Sequence, residues 1–441
     1  MGSAAGEVIR RAALWFEDEP DDFGPLLEHI GDANLVLIGE ASHGTEEFYR
    51  IRAQVTKALI TRKQFNIVAA EADWPDAYRV NRWVRHASDD RNADTALSDF
   101  TRFPRWMWRN TVVVEFVEWL RRHNEALESA ARTGFYGLDL YSLHSSVAAV
   151  LKYLDTVDPA AAARARYRYS CFEDYGEEPQ AYGYAATFDL ANSCEDDVVA
   201  QLVELRRRAA EYATRDGRIA ADDYFFAEQN ARLVRNAEQY YRSMFGGRAN
   251  SWNLRDTHMH QTLEALMAHI EQTSGAARAV IWAHNSHLGD ARATYMATIG
   301  ELNLGQLVRE RSGERARSIG FTTHSGTVTA ASNWGEPAQR MRVRPSLAGS
   351  YERLFHDAGI PRFALLFDDA ELRDVLTPTR LERAIGVIYR PESERVSHYF
   401  QARLPDQFDA VLHIDDTHAL QPLERWSHDE LDLPETYPSA L

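Results

Sequence analysis

The sequence predicts an α/β protein with a mainly parallel central sheet and a helical insertion, and three observations carry that prediction. Short apolar runs of strand length recur near 34–39, 66–70, 134–139, 278–283, 318–323, 362–367, 384–388 and 408–414. Between several of them apolar residues return at helical spacing, as expected where helices cross between parallel strands. From about 145 to 272 strand character vanishes and only the helical period remains. The chain therefore divides into a first part of the core (1–140), a helical insertion or cap (141–273) and a second part of the core (274–441). No tandem repeat or low-complexity linker marks a further domain.

Taken in order, an amphipathic segment at about 5–17 precedes the first buried strand, Leu35-Val36-Leu37-Ile38, which closes on Gly39-Glu40-Ala41-Ser42-His43-Gly44. A carboxylate and an imidazole three residues apart thus sit where a strand hands over to a helix, the usual place for ligands in open α/β sheets. Phe48, Ile51, Val55, Ala58 and Leu59 then set a helix over about 45–62, with Glu46 and Glu47 in the first turn where the macrodipole favours acids. Arg52 falls on the apolar stripe of that helix, and a guanidinium facing inward needs a carboxylate because an unpaired buried charge is prohibitive.

The next strand ends in Glu71 and is followed by Ala72-Asp73-Trp74-Pro75-Asp76, in which Pro75 suits a helix start. The aromatic and arginine-rich stretch from Phe100 through Trp106 and Trp108 to Asn110 fits either core packing under a loop or the wall of a ligand cleft. A helix is expected over about 111–130, and further helices near 255–271, 301–311 and 347–357, with an irregular loop over 171–186. Nearly every strand finishes in an ionisable residue: Glu40, Glu71, Asp139, His284, His324, Asp368 and Asp415. In a mainly parallel sheet those ends share one edge and form a polar crevice there. His284-Asn285-Ser286-His287 follows a strand directly, and a helical turn there would bring both histidines to one side.

Composition narrows the function classes. A net charge of −17 argues against nucleic acid or anionic lipid and favours a neutral or cationic small molecule. No apolar run approaches the roughly 20 residues of a membrane span, and the N-terminal segment lacks a signal-peptide pattern, so the cytoplasm is expected. Two cysteines, Cys171 and Cys194, are too few for a disulfide framework and suit a reducing compartment. Oligomeric state is not fixed by the sequence.

The motif Gly39-Glu40-Ala41-Ser42-His43-Gly44-Thr45-Glu46-Glu47-Phe48, with Arg52, Glu71 and His284-Asn285-Ser286-His287, resembles the erythromycin esterase family of the EreA/ChaN-like superfamily, and the likeness runs to the closing Phe408–Asp415 segment. That resemblance implies a three-layer α/β/α fold and a metal-independent hydrolase without a cofactor, in which His43 activates water against an ester or lactone carbonyl. It implies that Glu40, Arg52, Glu71, His284 and His287 complete the catalytic set. Gly44 departs from macrolide esterases, where a bulky residue often follows the histidine. The stretches around Asp73-Trp74 and Trp106-Met107-Trp108 look more like broader homologues of undefined substrate. Asp73, Trp74, Trp106, Trp108, Asp139 and His324 are taken as substrate-binding candidates. Ser42 does not read as a nucleophile, because adjacent residues seldom reach attack geometry and the G-x-S-x-G elbow is absent. Two other readings stay open: a metal-dependent hydrolase using His43, His284 and His287 with Glu40 or Glu71, and a non-catalytic ligand-binding accessory protein.

Overall fold

The computed structural model describes residues 4–17, 22–175, 179–187, 193–213, 218–245 and 248–424. Its strands are β1 (Leu14–Trp15), β2 (Leu35–Ile38), β3 (Ile67–Asp73), β4 (Gly134–Asp139), β5 (Ala279–Trp282), β6 (Ala316–Ala330), β7 (Gln339–Val343), β8 (Arg362–Leu366), β9 (Arg380–Arg383), β10 (Tyr399–Ala402) and β11 (Ala410–Thr417). The main sheet runs β1-β8-β11-β6-β2-β5-β3-β4, with β7 folded back on β6. From β11 to β4 every neighbouring pair is parallel, whereas β1, β7 and β8 are antiparallel additions.

Alternation along the central strands makes this sheet the middle of three layers. Val36 and Ile38 of β2, Val68 and Ala70 of β3, and Val280 and Trp282 of β5 join one core with helices Gly24–Ile30, Glu46–Lys63 and Thr111–Glu125. The intervening Leu35, Leu37, Ile67, Ala69, Ala279 and Ile281 join a second core with Leu143–Val157, Arg218–Ser243, Arg248–Ser274 and Leu304–Ser312. Both faces are apolar because both are covered, which is why these strands read as unbroken apolar runs. The helical segment expected as an insertion or cap therefore supplies much of one covering layer, and its last long helix reaches the functional edge of the sheet.

Helix ends follow local chemistry. Asn110 accepts a hydrogen bond from Val113 N at 2.8 Å and starts the helix Thr111–Glu125, and Gln64 in the left-handed region (φ 59°) ends Glu46–Lys63.

Several expectations are corrected. The run at 384–388 is not a strand: it makes isolated bridges, Ser42 to Ile385 and Ala331 to Ile388, while β9 just before it pairs with β10. The irregular loop expected over 171–186 contains the turn Ser170–Tyr175 and the helix Pro179–Thr187, with 176–178 outside the described residues. β8 is antiparallel, so Asp368 lies at the opposite edge, where it pairs with His29. Cys171 and Cys194, expected in a reducing compartment without a framework, are joined by a disulfide (Cα–Cα 5.9 Å) between that turn and the N-cap of Glu195–Arg207. Among the described residues no helix is long and apolar enough to cross a membrane.

Gly44 shows how tightly the motif loop is seated. Its carbonyl accepts from Thr329 N (2.9 Å) and Leu420 N (2.8 Å), and a Cβ there would fall 1.8 Å from the Thr329 carbonyl oxygen. Gly44→Ala must push two backbone segments apart, a cost of roughly 1–3 kcal/mol for overpacking. Thermal melting should show a clearly lowered midpoint for this variant; an unchanged midpoint would contradict the packing described.

Candidate active site

Parallel register gathers the predicted residues. Ile38 of β2 lies opposite Trp282 of β5, and Ala70 of β3 opposite the same Trp282, so Glu40, His284 and Glu71 emerge side by side at the C-terminal edge. Asp139 closes β4 opposite Asp73, across a register shift between Ala70 and Asp73. These strand ends and the loops above them enclose a cleft of about 430 Å³ whose lining includes His43, Glu71, Asp73, Trp108, Asp139, His284 and His287.

The first circuit comes from β2 and the helix that follows. His43 Nδ1 is 2.7 Å from Glu40 Oε1, and Arg52 Nη1 is 3.0 Å from Glu40 Oε2. Arg52 is buried between aromatic faces, its Cζ 4.4 Å from the Tyr49 ring centroid and 4.8 Å from that of Trp282. The carboxylate that the sequence demanded for Arg52 is thus Glu40. With Nδ1–H donating to Glu40, the lone pair of His43 is on Nε2, and His43 lines the cleft.

A second circuit lies across the cleft. Arg255 donates from Nη2 to Glu71 Oε1 (2.6 Å) and from Nε and Nη2 to Asp139 (2.9 and 2.7 Å). Glu71 Oε2 accepts from the backbone N of His284 at 2.9 Å. His287 donates from Nδ1 to Asp256 (2.9 Å), keeps Nε2 3.4 Å from Glu71 Oε1 and 3.1 Å from Arg255 Nη1, and stacks on Trp252 at 4.5 Å. Burial pushes Glu71 up, but His287 and Arg255 overcome it and hold the carboxyl well below the usual range. Burial works against a charge on His287, yet Asp256 and Glu71 raise its pKa to about 9.

His284 is the opposite case. Burial, with His43 beside it, lowers its pKa to about 3, so it is neutral near pH 7. Its Nδ1 accepts from Ser286 N at 3.2 Å, which puts the proton on Nε2. That Nε2 is buried, the Ala41 carbonyl acts on the ring as a backbone hydrogen-bond acceptor, and the ring centroid lies 4.8 Å from that of His43. A neutral N–H donor near the Ala41 carbonyl therefore sits beside a histidine with a bare nitrogen. Among the described residues no group of three or more His, Cys, Asp or Glu is arranged to hold a metal ion; the acids and histidines here are spent on one another.

The substrate-binding candidates divide. Asp73, Trp108 and Asp139 line the cleft, although Asp139 is held by Arg255 and Asp73 Oδ2 accepts from Arg102 Nε at 3.0 Å. Trp74 is a core residue instead, packed on Tyr136, Phe225 and Phe226. Trp106 is likewise buried against Phe103 outside the cleft lining, so both readings of the aromatic stretch hold, for different residues. His324 does not reach the cleft: β6 runs on to Ala330, past the end expected at Thr323, and His324 bonds Ser346 and stacks on His356. Arg255, Asp256 and Trp252 were missed. Their signal was available, because Asp256 precedes Met259 and Leu263 on the apolar stripe of Arg248–Ser274 just as Arg52 sits on its own.

The raised pKa of His287 has a stability consequence. Its protonated form stabilises the fold fully below its unfolded value near 6.5, and that contribution is lost as pH rises through about 9. Thermal midpoints of the wild type should fall over this window more steeply than those of His287→Asn. Parallel profiles for the two proteins would contradict the assignment.

Comparisons with known proteins agree with this fold. Over residues 60–417 the chain matches the family model described as erythromycin esterase; the match starts after Glu40, His43 and Arg52. It is 21% identical over 418 residues to erythromycin esterase type II of Escherichia coli, covering 90% of this chain and 93% of that protein. Type I of the same organism is 20% identical over 317 residues, covering 70% and 74%. Among solved structures, a succinoglycan biosynthesis protein superposes with a TM-score of 0.74 at 19% identity, covering 95% of this chain and 97% of that one. An erythromycin esterase mutant in its open conformation gives 0.66 at 16% identity, covering 90% and 94%. With the family model spanning most of its length, the chain belongs to the erythromycin esterase family.

Proposed function

We propose that this protein hydrolyses an ester or lactone of a small molecule with water activated by His43. The observation that carries the reading is the pairing of His43, whose Nδ1–H is committed to Glu40, with the neutral ring of His284 4.8 Å away in the same cleft. Membership of an esterase family supports the reaction class, and the residues argue the roles.

In this reading His43 Nε2 takes a proton from water as the water oxygen attacks the carbonyl carbon. The carbonyl π pair moves to oxygen, and the resulting oxyanion accepts a hydrogen bond from His284 Nε2–H in place of the Ala41 carbonyl. Collapse re-forms the carbonyl and breaks the bond to the alkoxide, which leaves as an alcohol after receiving a proton from the His43 imidazolium or from His287. Glu40 fixes the His43 tautomer and faces its developing positive charge, and Arg52 anchors Glu40. Arg255 and Glu71 hold the opposite wall, where the Glu71 carboxylate bonds the backbone that positions His284. No step passes through a metal, a cofactor or a seryl ester; Ser42 Oγ is hydrogen-bonded to Thr45.

The test is a panel of lactones and carboxylic esters incubated with protein in heavy-oxygen water. At least one should gain one water in mass, with the label in the carboxylate. His43→Ala should lose turnover by about 10²- to 10⁴-fold, the usual size of general base catalysis, while its circular dichroism and melting curve stay native. Undiminished hydrolysis by folded His43→Ala would overturn the mechanism.

A further inference from the structure

The side of the cleft built from the turn before β11 carries an amide that the hydrolytic steps do not use. Gln407 ends the short helix Leu404–Gln407, lines the cleft and is only 1% exposed. Its amide is held at one end: Nε2 donates to Glu382 Oε1 of β9 at 3.5 Å, and the fully buried Glu382 also faces Asn285 and Glu352. Burial, with Glu352 close by, pushes the Glu382 carboxyl well above the usual range and favours the neutral acid. A neutral carboxylic acid keeps a carbonyl oxygen that accepts from the amide.

The other end of the amide is open. Gln407 Oε1 is buried and accepts no hydrogen bond from the described residues, and a buried acceptor without a donor is costly to keep. The fold nevertheless seats this side chain closely. Gly289 lies against it with ordinary dihedrals (φ −72°, ψ 148°), so the position excludes a side chain and not a backbone conformation. A Cβ there would fall 2.5 Å from Gln407 Cγ and 2.6 Å from Nε2. The backbone secures the same contact, with Asp290 N donating to the Gln407 carbonyl at 2.9 Å and Gln407 N donating to Arg403 O at 3.1 Å. The elements around it present apolar groups to the cleft: Ala291 follows Asp290, Ala384 follows β9, and Phe400 of β10 pairs with Glu382. An acceptor fixed in advance in such surroundings loses little freedom when a donor reaches it. The amide is uncharged and the acid behind it favours its neutral form, which suits a neutral donor.

We propose that Gln407, held by Glu382, binds a hydroxyl group of the substrate, so that the preferred esters or lactones are hydroxylated ones. The word substrate rests on the hydrolase reading, whereas the hydroxyl site belongs to the cleft and is read by binding alone.

The probes are ethyl esters of straight-chain ω-hydroxy acids of graded length, each with two counterparts in which methyl or methoxy replaces the hydroxyl. Affinity is read by ligand-detected NMR titration of the whole chain, with hydrolysis followed in the same samples. At one length or more the wild type should bind the hydroxy ester about 2- to 10-fold more tightly than the methyl-ended ester, the range of a neutral hydrogen bond. The methoxy ester, which offers only lone pairs, should bind no better than the methyl-ended one. Asp73, Asp76 and Glu301 line the cleft as well, so a variant assigns the preference to Gln407. Gln407→Met, close in length and volume, should bring the hydroxy-to-methyl ratio near unity. Gln407→Leu replaces it if that variant does not fold, and if neither folds the order of the three wild-type affinities decides. Equal affinities for hydroxy and methyl-ended esters at every length, a methoxy ester bound as tightly as its hydroxy partner, or a preference that survives in folded Gln407→Met would overturn the proposal. Hydroxyl preference without hydrolysis upholds the site and counts against the hydrolase reading, whereas hydrolysis of both esters at equal affinity overturns the site and leaves that reading intact.

Discussion

The site depends on a buried ion pair, Arg52 with Glu40, placed directly behind His43. Removing two charges from water costs several kcal/mol per ion, and only close geometry with further partners recovers it. Here Glu40 divides its oxygens between a guanidinium and an imidazole, while Tyr49 and Trp282 present ring faces to the cation. The pair is a poor source of stability and a good source of definition. It fixes where the Glu40 carboxylate lies, and the carboxylate fixes which nitrogen of His43 faces the cleft.

A similar logic recurs across the cleft with the polarity redistributed. Arg255 descends from the long helix of the second layer onto Glu71 and Asp139, and Asp256 beside it accepts a hydrogen bond from His287 Nδ1–H. The two circuits meet at His284, whose backbone is bonded by Glu71 and whose ring stands against His43. Two histidines within one cleft thereby stand in different states: burial, with His43 and His287 nearby, holds His284 neutral, and Asp256 and Glu71 draw His287 toward the protonated form. Divergent environments around like groups are a common way for one fold to present a donor and an acceptor at the same pH.

Much of this was legible in the sequence because parallel strands end on one edge. Glu40, Glu71, Asp139 and His284 could be grouped without knowing the strand order, and the inward stripe position of Arg52 required a carboxylate. What escaped came from other geometry. Arg255 and Asp256 lie in a helix remote in sequence from every strand end, in a segment read as a separate cap. Trp74 follows an acid in a motif yet points into the second core, and the antiparallel turn of β8 carries Asp368 to the far edge. His324 failed because β6 is long enough to pass the edge at which its neighbours stop.

The central claim is that Glu40, held by Arg52, keeps the proton of neutral His43 on Nδ1 and leaves Nε2 bare toward the cleft. Nitrogen-detected NMR of histidine-labelled protein tests it most directly, with His43→Ala used to assign the signal. The account predicts an Nδ1–H tautomer whose proton is shifted strongly downfield by the carboxylate, and loss of that signal in Glu40→Gln. A dominant Nε2–H tautomer in the wild type would contradict it.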